Sequence, residues 1–174
     1  SQSSSHVGFL DELGVTGLVT GIGPASMVVM PGIHEGLDSG DIIDFAPEGL
    51  IDTEAVILDD PDVFVTSGTE ESEHDVLANA DVPVMANAEW LETTPLGWAE
   101  WIAFFAALTN TEAQATEVFD GIEERYEEAA ELAVDLEGSP TVVTGSLIEG
   151  DWYAPGGESI VANFIDTAGG AYIH

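Results

Sequence analysis

The sequence predicts an α/β chain: a first lobe of parallel strands and helices, one long helix, and the opening of a second α/β lobe. Three observations lead there. Short apolar segments alternate with helical patterns through the first half of the chain, the order that gives parallel βαβ units. A much longer amphipathic pattern follows from 111 to about 135, and a new βα unit starts at 141. The boundaries read from these changes are 1–94 for the first lobe, 95–137 for a helical segment including the long helix, and 138–174 for the beginning of the second lobe.

In chain order, residues 6–13 read as a short helix stopped by Gly14, and 18–22 as a strand. A Gly/Pro-rich connection leads to a weak helix at 34–37 and a short strand at 41–45. Residues 52–58 read as a helix. The apolar run 62–66 reads as a fully buried strand that empties into Ser67-Gly68-Thr69. A helix at 70–80 and a strand at 82–86 complete the alternation. Residues 95–108 are helical and unusually apolar, carrying Trp98, Trp101, Ile102, Phe104, Phe105 and Leu108. Thr111 with Gln114 three positions on is a capping-box signature. The helix it opens has Val118, Ile122, Tyr126, Ala129 and Ala133 on one stripe and carboxylates elsewhere, and at 1.5 Å per residue it spans roughly 35 Å. A strand at 141–145, a Trp-Tyr turn and a helix at 158–168 follow. Gly169-Gly170 caps that helix, and the residues after it begin another element. The expectation is therefore a processed start at Ser1 and a further C-terminal part.

The charge is extreme. Against 34 Asp and Glu stands one basic residue, Arg125, for a formal net charge of −33 on 174 residues. Solubility asks for a magnitude of only about 2–8 in a small domain. Yet 45% of the residues are hydrophobic, unlike a disordered acidic tail. Concentrated salt reconciles the two, because the Debye length falls to about 3 Å at 1 M and silences carboxylate repulsion. The chain reads as halophilic. Nucleic acid is excluded as a partner, since counterion release needs Lys and Arg. Cysteine is absent, which removes disulfides, thiolate catalysis and Cys-based zinc sites. No apolar run reaches the 18 or so residues of a membrane span.

Glu89-Trp90-Leu91-Glu92-Thr93-Thr94-Pro95-Leu96-Gly97, followed by Ala99-Glu100-Trp101-Ile102, resembles the strand-to-helix connection of the helical-backbone (class III) substrate-binding proteins. These serve ABC importers of ferric siderophores, cobalamin and haem. Residues 63–68 are similar to the strand that ends at that family's cleft, and 151–157 to its second-lobe cleft loop. The resemblance covers nearly the whole chain and extends to haloarchaeal-like members. It implies two Rossmann-like lobes joined by a rigid helix, with ligand between them. Open α/β sheets bind ligands beyond the carboxyl ends of their strands, which agrees independently. Two features differ from the family pattern. Trp98 stands where a basic residue is usual, and a full second lobe takes about another hundred residues.

On this resemblance, His6 falls at the first cleft loop, although a surface His at a helix start would read the same. Ser67, Gly68 and Thr69 offer backbone N–H groups to a polar ligand edge, or simply make a tight turn. Glu89 and Trp90 leave one strand end; Trp152 and Tyr153 leave the first strand of the second lobe. Their rings supply flat apolar area with a polar tip, suited to a corrin, porphyrin or iron chelate or else to packing between lobes. Trp101 reads as core, and His34 and His74 as surface residues. Glu54 occupies the helix whose family counterpart carries a glutamate that docks on permease arginines.

Catalysis finds little to work with: no Cys, no Lys, no Gly-x-Ser-x-Gly elbow, and no His spacing that builds a metalloprotease motif. Gly21-Ile22-Gly23-Pro24 lacks the third Gly of a dinucleotide loop. The leading expectation is a monomeric, cell-surface-anchored extracellular receptor subunit with no cofactor of its own. Its cargo is a ferric chelate, corrinoid or haem, and its partner an ABC permease. The alternatives are a metal-dependent enzyme on a related scaffold and a non-catalytic acidic surface protein. An anionic siderophore asks for Arg or Lys in the cleft, so a neutral chelate or corrinoid fits these segments better.

Overall fold

A computed structural model of the protein describes residues 1–69, 72–134 and 138–173. The expected helix start at Glu70, the helix end near Asp135 and the terminal His174 lie outside these residues. The first lobe is built on two parallel strand pairs. β1 (Gly21–Ile22) lies beside β2 (Ile43–Asp44), with Ile22 opposite Asp44. β3 (Phe64–Thr66) lies beside β4 (Val84–Ala86), with Val65 opposite Met85. The first residues of the chain join the pairs. Ser1 N donates to Gly21 O at 2.8 Å and Gly23 N donates to Ser1 O at 3.2 Å, the pattern of a parallel pair around Ile22. On the other side Gln2 N donates to Val65 O at 3.0 Å. The order across the sheet is β2, β1, the opening segment, β3, β4.

Four helices cover this sheet: α1 (Ser4–Glu12), α2 (Pro31–Ser39), α3 (Thr53–Asp59) and α4 (Ser72–Asn79). α1 starts earlier than its apolar pattern because the Ser3 hydroxyl accepts from Ser5 N and caps it. α2 is longer than expected at both ends. Pro31 sits at its first turn, where a missing N–H costs nothing, and Gly40 closes it in the left-handed conformation, φ 83°. Asp52 caps α3 by accepting from Ala55 N at 3.0 Å. Successive residues of a strand face opposite sides, and β3 shows the result. Val65 joins a core with Val7, Leu10, Ile22, Ile33 and Phe105, while Phe64 joins another with Phe45, Val56, Leu77 and Val82. The expected strand at 18–22 shrinks to two residues, since 16–18 turn into a 3-10 helix.

The apolar segment at 95–108 is two helices rather than one, α5 (Pro95–Glu100) and α6 (Ile102–Thr109). At Trp101 the backbone bonds step back by three residues, Trp101 N to Trp98 O and Phe104 N to Trp101 O. The Trp101 indole donates to Glu92 Oε1 at 3.0 Å, which holds that residue toward the turn before α5. α7 (Glu112–Val134) is the long helix, 23 residues, packed on α5 and α6. Its burial follows the expected stripe except at Ala129, with Ala133 half-buried too, and is deepest one turn before it. Ala115 is buried, Val118, Ile122 and Tyr126 are half-buried, and Ala129 is exposed. The Thr111 hydroxyl lies 2.8 Å from that of Thr109, at the end of α6.

The second lobe opens with β5 (Thr141–Val142), paired in parallel with β8 (Ala171–Tyr172) across α8 (Ile160–Thr167). Between them β6 (Ser146–Ile148) and β7 (Asp151–Tyr153) form an antiparallel hairpin. Glu149 at φ 53° and Gly150 at φ 96° make its two-residue turn, as left-handed hairpin turns require. Trp152 and Tyr153, expected in a turn, are therefore strand residues. No helix among the described residues is long and apolar enough to cross a membrane.

Candidate functional site

The carboxyl ends of β3 and β4 run into two loops that touch. Gly68 N donates to the Thr66 hydroxyl at 3.0 Å, and Asn87 N to Thr66 O at 3.0 Å. A side chain at Gly68 has no room: its φ is 80°, and a Cβ would come within 2.9 Å of the Ala88 Cβ. Across this contact the Trp90 indole donates to Ser67 O at 2.6 Å. Ser67 N in turn donates to Gln2 Oε1 at 3.4 Å, and the hydroxyls of Ser67 and Thr69 lie 3.4 Å apart. Ser67, Gly68, Thr69 and Trp90 thus form one group at the sheet edge, with the Trp90 ring 57% exposed. Beside it an open depression of ≈ 570 Å³ is lined by Thr66, Gly68, Thr69, Ser72, His74 and Asp75. A smaller, more apolar cavity of ≈ 290 Å³ lies among Val19, Val63, Phe105 and Leu108, at the opposite edge where the strands begin.

His6 and Glu89 lie inside the fold. Both were expected against ligand, but His6 is wholly buried and Glu89 is 4% exposed, so in this conformation neither offers surface to a molecule in the cleft. They meet each other: His6 Nε2 lies 3.3 Å from Glu89 Oε2, Ser5 Oγ donates to Glu89 Oε1, and the Ser1 hydroxyl lies 2.8 Å from His6 Nδ1. The imidazole also rests against the Phe105 ring, centroids 5.4 Å apart. Burial pushes the Glu89 carboxyl up, but the hydrogen bonds from His6 and Ser5 with the imidazole charge outweigh it and hold the carboxyl below the usual carboxylate range. Sequence reasoning missed Ser5, Gln2 and Asn87. Asn87 is buried, its Oδ1 accepts from Glu89 N at 3.2 Å, and its Nδ2 has no hydrogen-bond partner among the described residues. The Ser-rich start was the available signal for Ser5; nothing in the pattern marked Gln2 or Asn87.

The second-lobe candidates lie on β7. Neighbours on a strand point to opposite faces, so Trp152 and Tyr153 do not share one. Trp152 stands opposite Leu147 and Tyr153 opposite Ser146. The Trp152 ring packs over Gly145, where a Cβ would fall 2.8 Å from the ring. Both faces of the hairpin are open, with Trp152 55% exposed and Leu147 more so. The second lobe is tied to the first near Trp90, since Asn163 Nδ2 on α8 donates to Thr93 O at 2.7 Å. Glu54 is exposed in the first turn of α3, a helix that begins beyond the carboxyl end of β2. His74, expected at the surface, is half-buried, with Nε2 3.3 Å from Gln2 Oε1. Among the described residues no group of three or more His, Asp or Glu is placed to hold a metal ion.

The family model for periplasmic binding proteins matches residues 2–173. This chain belongs to the periplasmic binding protein family. Other comparisons agree in fold. The periplasmic haem-binding protein HutB of Vibrio cholerae superimposes with a TM-score of 0.79 at 16% identity, over 97% of this chain and 62% of that one. An ABC transporter substrate-binding protein from Listeria monocytogenes EGD-e does so with a TM-score of 0.72 at 18% identity, over 98% and 62%. An uncharacterized lipoprotein of Methanocaldococcus jannaschii is 29% identical over 163 residues, 89% of this chain and 38% of its own length. The chain thus spans about three fifths of the two solved chains. The family inferred from the 89–102 connection is the family found, and it is a family of binding proteins rather than enzymes. The periplasmic binding protein fold places the Ser67–Trp90 group at the carboxyl edge of a parallel sheet, where open α/β folds hold ligands.

Proposed function

We propose that this periplasmic binding protein is the substrate-binding component of an ABC importer. It captures a ferric chelate or related macrocycle outside the cell and delivers it to a membrane permease. The observation that carries this reading is the Trp90–Ser67 clasp, which joins an exposed ring to a polar loop at the sheet's carboxyl edge. Trp152 with Leu147 supplies a second flat apolar surface from the other lobe. Such surfaces suit a large planar or globular ligand more than a small ion. Charge narrows the choice. The one cation, Arg125, is on α7, far in sequence from every loop of the group, so a neutral ferric siderophore or a corrinoid is favoured and haem, with its carboxylates, comes next. The metal arrives as cargo in its chelate. Glu54 is the docking residue for a basic permease surface, the protein acts as a monomer, and it is held at the cell surface, a reading supported by the Methanocaldococcus relative's being a lipoprotein.

The test is direct. The full chain in molar KCl is titrated with cyanocobalamin, a neutral ferric trihydroxamate and haemin, following visible absorption and tryptophan quenching. Saturable binding of at least one probe, weakened in Trp90→Ala, is expected. Failure of all three to bind would overturn the ligand class.

A further inference from the structure

The turn that carries Trp90 is short. It is a 3-10 helix, Glu89–Leu91, held by backbone bonds from Leu91 N to Ala88 O and from Glu92 N to Glu89 O, each 3.0 Å. Two backbone bonds leave the turn's orientation to side chains. Asn87 Oδ1 takes the Glu89 N–H, and the Glu89 carboxylate reaches across the sheet to α1, 83 and 84 positions away in sequence. A buried carboxylate is costly, and an apolar side chain would fill the same space more cheaply. What the carboxylate adds is direction. Both of its oxygens are engaged, one by the Ser5 hydroxyl and one by His6, in the first turn of α1. Trp90 follows Glu89 immediately, and its indole lands on Ser67 O.

We infer that Glu89 is a positioning residue for the ligand-facing wall: its carboxylate pins the turn after β4 to the first turn of α1 and so aims the Trp90 indole at the Ser67 carbonyl. The inference rests on the proposed function for the words ligand-facing and deepens it. Around the carboxylate, α1 contributes Ser5 and His6, the opening segment contributes Ser1 against His6, the strand-end turn contributes Asn87, and α6 contributes Phe105 against the imidazole. Of these side chains His6 is the one ionisable group. Loss of the negative charge on Glu89 leaves the oxygen facing His6 or Ser5 a poorer acceptor, and the turn loses its anchor. Acid thereby loosens Trp90 from Ser67.

The test reads Trp90 itself and needs no ligand. The full chain in molar KCl, labelled with nitrogen-15, gives indole N–H resonances in which Trp90→Phe identifies the one that belongs to Trp90. In the wild type that resonance is expected to shift sigmoidally as the pH falls below the usual carboxylate range. In Glu89→Gln the pH-dependent shift is expected to vanish. Ser5→Ala, which keeps the His6 contact, is expected to displace the same resonance at neutral pH, and it serves if Glu89→Gln folds poorly. A Trp90 resonance that titrates identically in Glu89→Gln, or that ignores both acid and Ser5→Ala, would overturn the inference. Haemin and cyanocobalamin titrations of the same variants are read separately. The expected spectra with no probe bound would keep Glu89 as the residue that aims Trp90 and would overturn only the ligand reading of that wall.

Discussion

Burial raises the Glu89 carboxyl, while His6 and Ser5 lower it by more, and the balance has a consequence for stability as well as for Trp90. A group whose pKa is depressed on folding stabilises above its ordinary value, here 4.5, and the contribution drains away as pH falls through the folded value. The many other carboxylates respond to acid too, so the difference between variants is the informative quantity. The gap in melting temperature between wild type and Glu89→Gln should be widest near neutrality and should narrow as the pH falls below the ordinary carboxylate value; a gap independent of pH would contradict the assignment. The two aromatic residues of β7 part company on similar local grounds. Trp152 shares a face with Leu147, and Tyr153 shares the other with Ser146. If the apolar face meets ligand, Trp152→Ala should weaken binding of the bound probe by roughly 5- to 150-fold, the equivalent of about 1–3 kcal/mol of buried ring. Its melting temperature should hold, because half of the ring is already in solvent. Tyr153→Ala should bind within a factor of about two of wild type by the same scale. Isothermal titration of both variants decides it, and equal losses would mean that the ligand reaches both faces of the hairpin.

Elements whose local signals agree with one another were legible, and those set by distant contacts were not. Asp52 before an apolar run marks α3, and the buried β3 follows from four apolar or β-branched residues in a row, Val63 to Thr66. The break at Trp101 was invisible because no Gly or Pro lies between 98 and 108 to mark it; the indole bond to Glu92 is a tertiary fact. The hairpin of β6 and β7 was missed because Glu149-Gly150 is a weaker turn signal than Asn-Gly or Asp-Gly. His6 and Glu89 were singled out, but their contact with each other was not, since only the folded chain brings them together. The long helix was correctly placed, and its buried point, Ala115, lies one turn before the expected stripe, whose residues are at most half-buried. That difference is measurable. Ala115→Asp would bury an unpaired carboxylate among Ile102, Phe105 and Ala106, in the core that Ala115 shares with them, and should cost several kcal/mol. Ile122→Asp, at a half-buried position, should cost distinctly less. Urea denaturation of the two variants in molar KCl ranks them, and a larger loss for Ile122→Asp would place the tighter packing at the middle of the helix.

Over the whole molecule, one balance governs whether any of these elements persist. The two cores of the first lobe are small and the strands are two or three residues long, so the folded state has little surplus against repulsion. A formal charge of −33 supplies that repulsion, and it acts on the compact state more than on the expanded one. Carboxylates crowd α7 in particular, where Glu123, Glu124, Glu127, Glu128 and Glu131 occupy successive turns with Arg125 as the only basic residue among them. Like charges three or four apart on a helix each cost about 0.2–0.5 kcal/mol when unscreened. Salt removes this term while leaving the apolar cores intact, because the Debye length shrinks from about 10 Å at 0.1 M to about 3 Å at 1 M. The melting temperature should therefore rise strongly between about 0.1 and about 3 M KCl, with most of the gain before about 1 M, where screening at the spacing of neighbouring side chains is already complete. Far-ultraviolet circular dichroism should show α7 gaining helicity over the same range. Sodium, potassium and tetramethylammonium chlorides should act alike if screening is the cause. A response confined to one cation would point instead to specific carboxylate coordination, and a flat profile would mean that the acidic surface is tolerated for some reason other than screening.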